Sequence, residues 1–425
     1  MLKNSNNEQL VERTLQAIYS CVQVQLKMQL LDHTEAIDVL LKVITVEKYF
    51  QITAEILTET VNNSNVGDIL STTPLKEAMS KIPQTTKTSV LKIVEFTAVN
   101  SAETYLKQLD NQDSLFCVKI TELITAVGVK FNIFILENTD YSKVMLKLLI
   151  MCVSHRNRKI SHFSFDFWTN FRAVVTSNVD DLIKHLDCSF ITNAYMDVLN
   201  FLLENCKRTA LTTIKDASGK GKKLKVIDLD GEDEDGFGNE EEDDVTRMTL
   251  RDYRTHADDV FYAVYDVMRR FRGEDGAKEV LTKLALLLTV QNLPQKGTPE
   301  FVNYVTNCEV AIIAINAMLD LMDIQEKMNP YICELIKILL KLPEEEIIIP
   351  ATLQFLYEVN SQLPFAGNET TLEAFRYILH NVLKPGMSYL AAQVNYIKQT
   401  QLITRFEDIP LHRRVLEKVV RYRIA

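Results

Sequence analysis

Glycine and proline are both scarce in this chain of 425 residues, which holds twelve of the first and ten of the second. Five of the glycines, Gly219, Gly221, Gly231, Gly236 and Gly238, fall in one short stretch. The remainder has almost none of the residues that make tight strand turns or nucleotide loops, and long helices joined by short polar turns fit that shortage. The seven cysteines are an odd number without a C-x-x-C pair, and most lie in apolar stretches such as Leu149-Ile150-Met151-Cys152-Val153. That excludes a disulfide framework and reads as small buried hydrophobes in a reducing compartment. The start of the chain, Met1 to Glu8, has no signal-peptide core, and no uninterrupted apolar run reaches about 18 residues, so no transmembrane helix is expected. G-x-S-x-G, H-E-x-x-H and G-x-G-x-x-G are all missing. With no such motif the chain is expected not to be an enzyme, and no cofactor, metal or nucleic-acid partner is implied.

What is present is helical periodicity from end to end. Val11, Leu15, Ile18 and Val22 make one apolar stripe, Phe50, Ala54, Leu57 and Val61 another, and Val310, Ile313, Ala314, Ala317 and Leu321 a third. Each keeps the i, i+3 or i+4, i+7 spacing of one helix face. Helix pairs recur about every 40 residues, which predicts an all-α, HEAT/armadillo-type α-solenoid of antiparallel helix pairs. The pairs read as 9–45, 47–82, 87–111, 113–153, 157–215, 249–291, 300–341, 347–383 and 386–423. This groups into a first repeat block over 9–215, an insertion over 216–245 and a second block over 246–423.

The insertion opens basic, with Lys220, Lys222, Lys223 and Lys225 following Lys215, and turns acidic. Asp228, Asp230, Glu232, Asp233, Glu234, Asp235, Glu240, Glu241, Glu242, Asp243 and Asp244 outweigh the whole net charge of −10, so the body is nearly neutral without them. Such a block self-repels and has little apolar content, so it is expected to be disordered, and it is a candidate docking segment for a basic partner. Its glycine spacing fails an EF-hand, and Gly219-Lys220-Gly221-Lys222 fails a phosphate loop. His155 and His162 flank Arg156, Arg158 and Lys159 and read as surface turn residues.

The most specific local feature is the stretch from Ile160 to Phe171, which holds the one tryptophan of the chain. Ile160, Phe163, Phe167 and Phe171 share one helix face with Trp168 on its flank, so Trp168 is expected to be buried in aromatic packing.

That helix, preceded by Leu148-Leu149-Ile150-Met151-Cys152-Val153-Ser154-His155, resembles the transportin-SR and importin-thirteen branch of the importin-beta (karyopherin-beta) family. The family has an apolar "L-L-x-C-x-x-H" helix followed by one ending "F-x-F-W". Leu250-Arg251-Asp252-Tyr253-Arg254-Thr255-His256-Ala257-Asp258-Asp259-Val260 is similar to its "f-R-x-x-R-x-d-v-s-D-l" helix, which also follows an acidic loop. Glu309 to Met318 and Leu339 to Pro343 resemble the next repeat. Phe163, Phe167, Trp168, Arg251, Arg254 and Asp259 carry the match, which covers the central repeats, about residues 10 to 365. The resemblance implies a nuclear transport receptor moving between nucleus and cytoplasm. Its implied partners are cargo protein, the Ran GTPase and nucleoporin Phe-Gly repeats, with no membrane partner. The family's amino-terminal Ran-binding repeats and its carboxy-terminal cargo repeats have no counterpart here. The alternative is another HEAT or armadillo scaffold or adaptor without transport activity.

Overall fold

The computed structural model describes residues 8–24, 30–64, 81–97, 115–136, 139–185, 188–207, 211–215, 222–226, 248–322, 330–343, 345 and 347–360. It divides into two compact units, Met1–Lys283 and Leu284–Ala425.

In the first unit helices α1 (Glu8–Gln23), α2 (Thr34–Val43), α3 (Glu47–Asn62) and α4 (Gln84–Phe96) are followed by α5 (Leu115–Lys130) and the single turn α6 (Ile133–Leu136). Then come α7 (Asp140–Val153), α8 (Arg158–Phe163), α9 (Phe165–Ser177), α10 (Val179–His185) and α11 (Ser189–Asn205). The order of the stack follows from which ends touch. Lys48 at the start of α3 donates to Glu8 at the start of α1, and Asn63 just past the end of α3 donates to the Val22 carbonyl near the end of α1. These helices therefore run parallel, 40 and 41 residues out of step. Helix α2 lies between them in sequence and is joined to α3 by Ile44–Val46, so it runs back the other way.

The same rule extends along the chain. On one side, α5 sits parallel on α3 through Phe50–Phe116, ring centres 4.4 Å apart, and Lys119–Glu55 at 3.1 Å. Ile160 of α8 packs with Cys117 and Val118 near the start of α5, and Phe167 of α9 fills the space over Gly128 near its end. On the other side, Ser89 and Lys92 of α4 bond the Leu31 carbonyl and Asp38 beside and within α2. Asn205 at the end of α11 donates to the Val153 carbonyl at the end of α7. Helices α1, α3, α5 and α8–α9 thus form one parallel layer, and α2 and α4 pair in the same way on the other side, as do α7 and α11. This is the two-layer plan of an α-solenoid repeat, in which each helix buries one stripe on its predecessor.

After α11 comes a two-stranded antiparallel hairpin, β1 (Leu211–Lys215) with β2 (Lys222–Val226), paired from Leu211 opposite Val226 to Lys215 opposite Lys222. Here the structure differs from the sequence reading, which foresaw no sheet and treated 216–245 as one disordered block. Leu-Thr-Thr-Ile-Lys is rich in β-branched residues, Leu224 and Val226 alternate with Lys223 and Lys225, and two glycines lie between the strands, which is a hairpin signal that the lysines disguised as a charge run.

Helix α12 (Leu250–Leu288) then joins the first layer. Tyr253 meets Ser161, 92 residues back, and Arg172 donates to Asp266, 94 residues on. The step between neighbours is more than double that of the first pair, and the excess is the hairpin and the acidic run. Helix α12 is itself a helix pair. Gly273 has φ 61 and ψ −143, and a Cβ on Gly276 would lie 2.2 Å from the Met268 carbonyl oxygen. Eight residues of straight helix would separate these by about 12 Å, so the chain doubles back at Gly273. This is the pair expected over 249–291.

In the second unit, α13 (Pro299–Met318), α14 (Pro330–Leu339) and α15 (Ile348–Asn360) follow. Thr298 caps α13 with Pro299 at its first turn. Tyr304 donates to the Leu288 carbonyl, Asn316 to that of Ala351, and Lys296 pairs with Glu345. The stretch Pro299–Leu321 is long and apolar enough by composition to cross a membrane, which the run-length test on the sequence did not register because Glu300, Glu309 and Asp320 interrupt it. Its apolar surface is spent on packing, with 67% of the most apolar window buried.

Candidate functional site

The family-motif residues converge where α8–α9, α11 and α12 meet. Asn157 caps α8, its Oδ1 accepting from the Lys159 and Ile160 amides, and the helix breaks at Ser164, whose hydroxyl donates to the Ser161 carbonyl. The break turns α9 so that Phe165, Phe167, Trp168 and Phe171 are all buried. Trp168 is fully enclosed, as expected. Its ring stands edge-on to Phe167 at 4.9 Å and to Tyr195 of α11 at 5.4 Å, and the Tyr195 hydroxyl donates to the Trp168 carbonyl at 2.8 Å. No local pattern marks Tyr195 in advance. Phe163 is only half-buried, against Cys117, Val118 and Ile160, with the Lys159 ammonium 5.3 Å from its ring centre.

One turn earlier, polar groups close the seam. Ser161 Oγ donates to the Val153 carbonyl, so Tyr253 O–H donates to Ser161 Oγ, each at 2.8 Å. Asn205 Nδ2 reaches the Val153 and His155 carbonyls at 2.9 and 3.1 Å. Burial pushes the Tyr253 phenol far above its usual range, so it stays a donor. The carbonyls that end α11 face two guanidinium groups. Arg254 grips the Cys206 carbonyl through Nε at 3.0 Å and Nη2 at 2.7 Å, and Arg158 makes longer contacts of 3.5 Å to the carbonyls of Asn205 and Lys207. Cations at a helix C-terminus satisfy orphan carbonyls and meet the negative end of the dipole. Further along, Asp266 is nearly buried and takes Arg172 at 2.7 Å and Arg270 at 3.3 Å, while the Arg172 guanidinium lies 4.6 Å from the Tyr262 ring centre.

Of the motif residues on α12, Arg254 works in this seam, whereas Arg251 and Asp259 are exposed. The carboxylate that matters is the neighbouring Asp258, which sequence reading passed over. Its Oδ1 is buried with no partner among the described residues. Burial, then the charge of Asp259, raises it to about 6 against the pull of Arg254. The histidines are also corrected. His155 is buried and accepts the Asn157 amide on Nδ1, and His162 is half-buried. Burial lowers both, and the charges of His256 and Lys159 add to the effect on His162. The sign of each contribution follows. The histidines, depressed from about 6.5, stabilise fully above that pH and lose stability as pH falls through it. Asp258, raised, does the opposite and loses stability as pH rises through about 6. Asp258→Asn should therefore raise stability at pH 7.5, by about 1–2 kcal/mol after allowing for partial exposure, with the gain gone by pH 4. Denaturant midpoints across pH 4–8 test this, and a variant no more stable at pH 7.5 would refute the buried-charge reading.

All eleven acidic candidates from Asp228 to Asp244 lie outside the residues that the structure describes. What it does place is the boundary of that stretch. Arg254 holds Cys206 at its beginning, and Thr249 at its end accepts the Asp252 amide at 3.1 Å, one turn from Arg254. Entry and exit therefore share one anchor. Replacing 209–247 with a Gly/Ser linker of about eight residues should leave the unfolding free energy within about 1 kcal/mol. Loss of a cooperative transition would show that the repeats depend on the stretch.

Among the described residues no group of three or more His, Cys, Asp or Glu stands ready to hold a metal ion. Ser161, Asn205, Tyr253, Arg254, Arg172 and Asp266 are committed to holding repeat against repeat. Comparison with curated proteins finds no match. A family model does match: residues 112–201, spanning α5 to most of α11, fit the transportin-3/importin-13 second TPR domain. TPR names the same plan of stacked antiparallel helix pairs that the periodicity had indicated. The match lies over the aromatic helix and the α7–α11 pair, and over that stretch it supports the transportin/importin-13-like resemblance read from the sequence.

Proposed function

We propose that the chain is a binding segment of a nucleocytoplasmic transport receptor, one that takes up protein cargo and moves between nucleus and cytoplasm. The karyopherin-like family assignment over 112–201 is the observation that carries this reading. The family is one of transport receptors rather than enzymes, and the seam chemistry supports a scaffold role, since Tyr253, Arg254, Arg172 and Asp266 are spent on contacts between repeats. Repeats of this kind present broad faces that adapt to folded partners. The acidic run from Asp228 to Asp244 is the feature best suited to a basic partner, whether cargo or the Ran GTPase, and Phe-Gly nucleoporin repeats are the further expected partner. The test replaces 228–244 with a neutral linker of equal length and measures binding to GTP-loaded Ran, a basic cargo and Phe-Gly repeats across a salt series. Weaker binding with a shallower salt slope for Ran or cargo supports the reading. No binding to any of the three by the unaltered chain would favour a scaffold without transport activity.

A further inference from the structure

Two imidazoles from different helices face each other across the α8–α12 seam. The ring centres of His162 and His256 are 4.5 Å apart, with planes inclined at 56°. His256 is exposed and His162 half-buried, so the pair is open to solvent on one side. The Nδ1 of His162 is enclosed and makes no hydrogen bond among the described residues. The edge of Phe165, 5.5 Å from the His162 ring centre, holds that ring in place, and Phe165 is itself packed on Tyr253 at 5.2 Å.

We propose that His162 and His256 form a binding site for a first-row divalent metal ion of the imidazole-preferring kind, Zn2+, Ni2+ or Cu2+, which clamps α8 to α12. The ring-centre spacing is compatible with such an ion. A metal about 2.0–2.1 Å from an imidazole nitrogen lies roughly 3.2 Å from the ring centre, so two rings bound at about 90° have centres about 4.5 Å apart. Two ligands leave positions for water, consistent with an open surface site. The charged groups around His162 are Lys159 one turn before it, His256 across the seam and Asp166 one turn after it on α9. The carboxylate of Asp166 would offset part of the ion's charge. The clamp would reinforce the seam that Tyr253–Ser161 and Arg172–Asp266 already close, at the point where the insertion enters and leaves.

The experiment titrates Ni2+ into the chelator-stripped full chain at pH 7.5 by calorimetry and follows thermal unfolding with and without the metal. The expected result is one equivalent bound and a metal-dependent rise in melting temperature. His256→Ala, a change at an exposed residue, should weaken binding at least tenfold and abolish the rise. His162→Gln should do the same, and His33→Ala, at an exposed histidine elsewhere, should do neither. Binding in His256→Ala equal to that of the unaltered chain, or uptake by the unaltered chain no tighter than by a lone surface histidine, would overturn the proposal.

Discussion

Trp168→Ala should cost about 3–5 kcal/mol, the largest loss expected from any truncation in the first unit. The ring is fully enclosed between Phe167 and Tyr195, so its removal opens a cavity where α9 meets α11. Trp168→Phe should cost much less. The indole Nε1 is buried without a partner among the described residues, so a phenyl ring forfeits no hydrogen bond and leaves only a smaller void. Denaturant titration of the three proteins tests this. Because the chain holds a single tryptophan, its native emission should also be blue-shifted and resistant to a soluble quencher. Equal destabilisation by the alanine and phenylalanine changes would contradict the packing account, as would a freely quenched native signal.

Gly276→Ala should be comparably severe, about 3 kcal/mol or more, for a different reason. The added methyl would meet the Met268 carbonyl oxygen at 2.2 Å and the Arg272 Cβ at 2.8 Å, and neither is the far end of a flexible side chain. Gly273→Ala acts only through the backbone. Nothing lies within 4 Å of its would-be Cβ, but φ 61 with ψ −143 is a conformation that alanine adopts at a cost of about 1–3 kcal/mol. Gly276→Ala should therefore be the worse of the two, and the ion pair between Arg272 and Glu279 across the turn should weaken with it. An alanine at 276 with an unchanged denaturation midpoint would mean that α12 does not double back as described.

The helices and the aromatic face from Ile160 to Phe171 were legible in the sequence because both rest on local periodicity, which survives without knowledge of neighbours. Trp168 could be foreseen as buried for the same reason. Tyr195, Asn205, Tyr253 and Asp266 could not. Each is an ordinary residue on a helix, and its partner lies 27 to 94 residues away, in a register that only the stacking fixes. Arg254 was picked out by family pattern, but its role at the end of α11 was not. Asp258 was hidden by its neighbour Asp259, since two adjacent carboxylates on a helix look alike until burial separates them. The hairpin was missed because lysines at alternate positions were read as charge instead of as strand.

The shared anchor at Arg254 has a consequence for how such a chain can change over generations. The entropy of closing a loop rises with the logarithm of its length, so doubling the stretch between Cys206 and Thr249 would cost only about 0.6 kcal/mol. The repeats on either side hold one another through Tyr253, Arg254 and Asp266 whatever lies between. Mutation can therefore lengthen, shorten or recharge that stretch almost without a stability penalty, while a one-residue insertion within α9 or the first half of α12 would rotate a whole buried face by about 100°. Related chains should accordingly vary most in length at this one point and hold their helix lengths nearly constant on both sides of it.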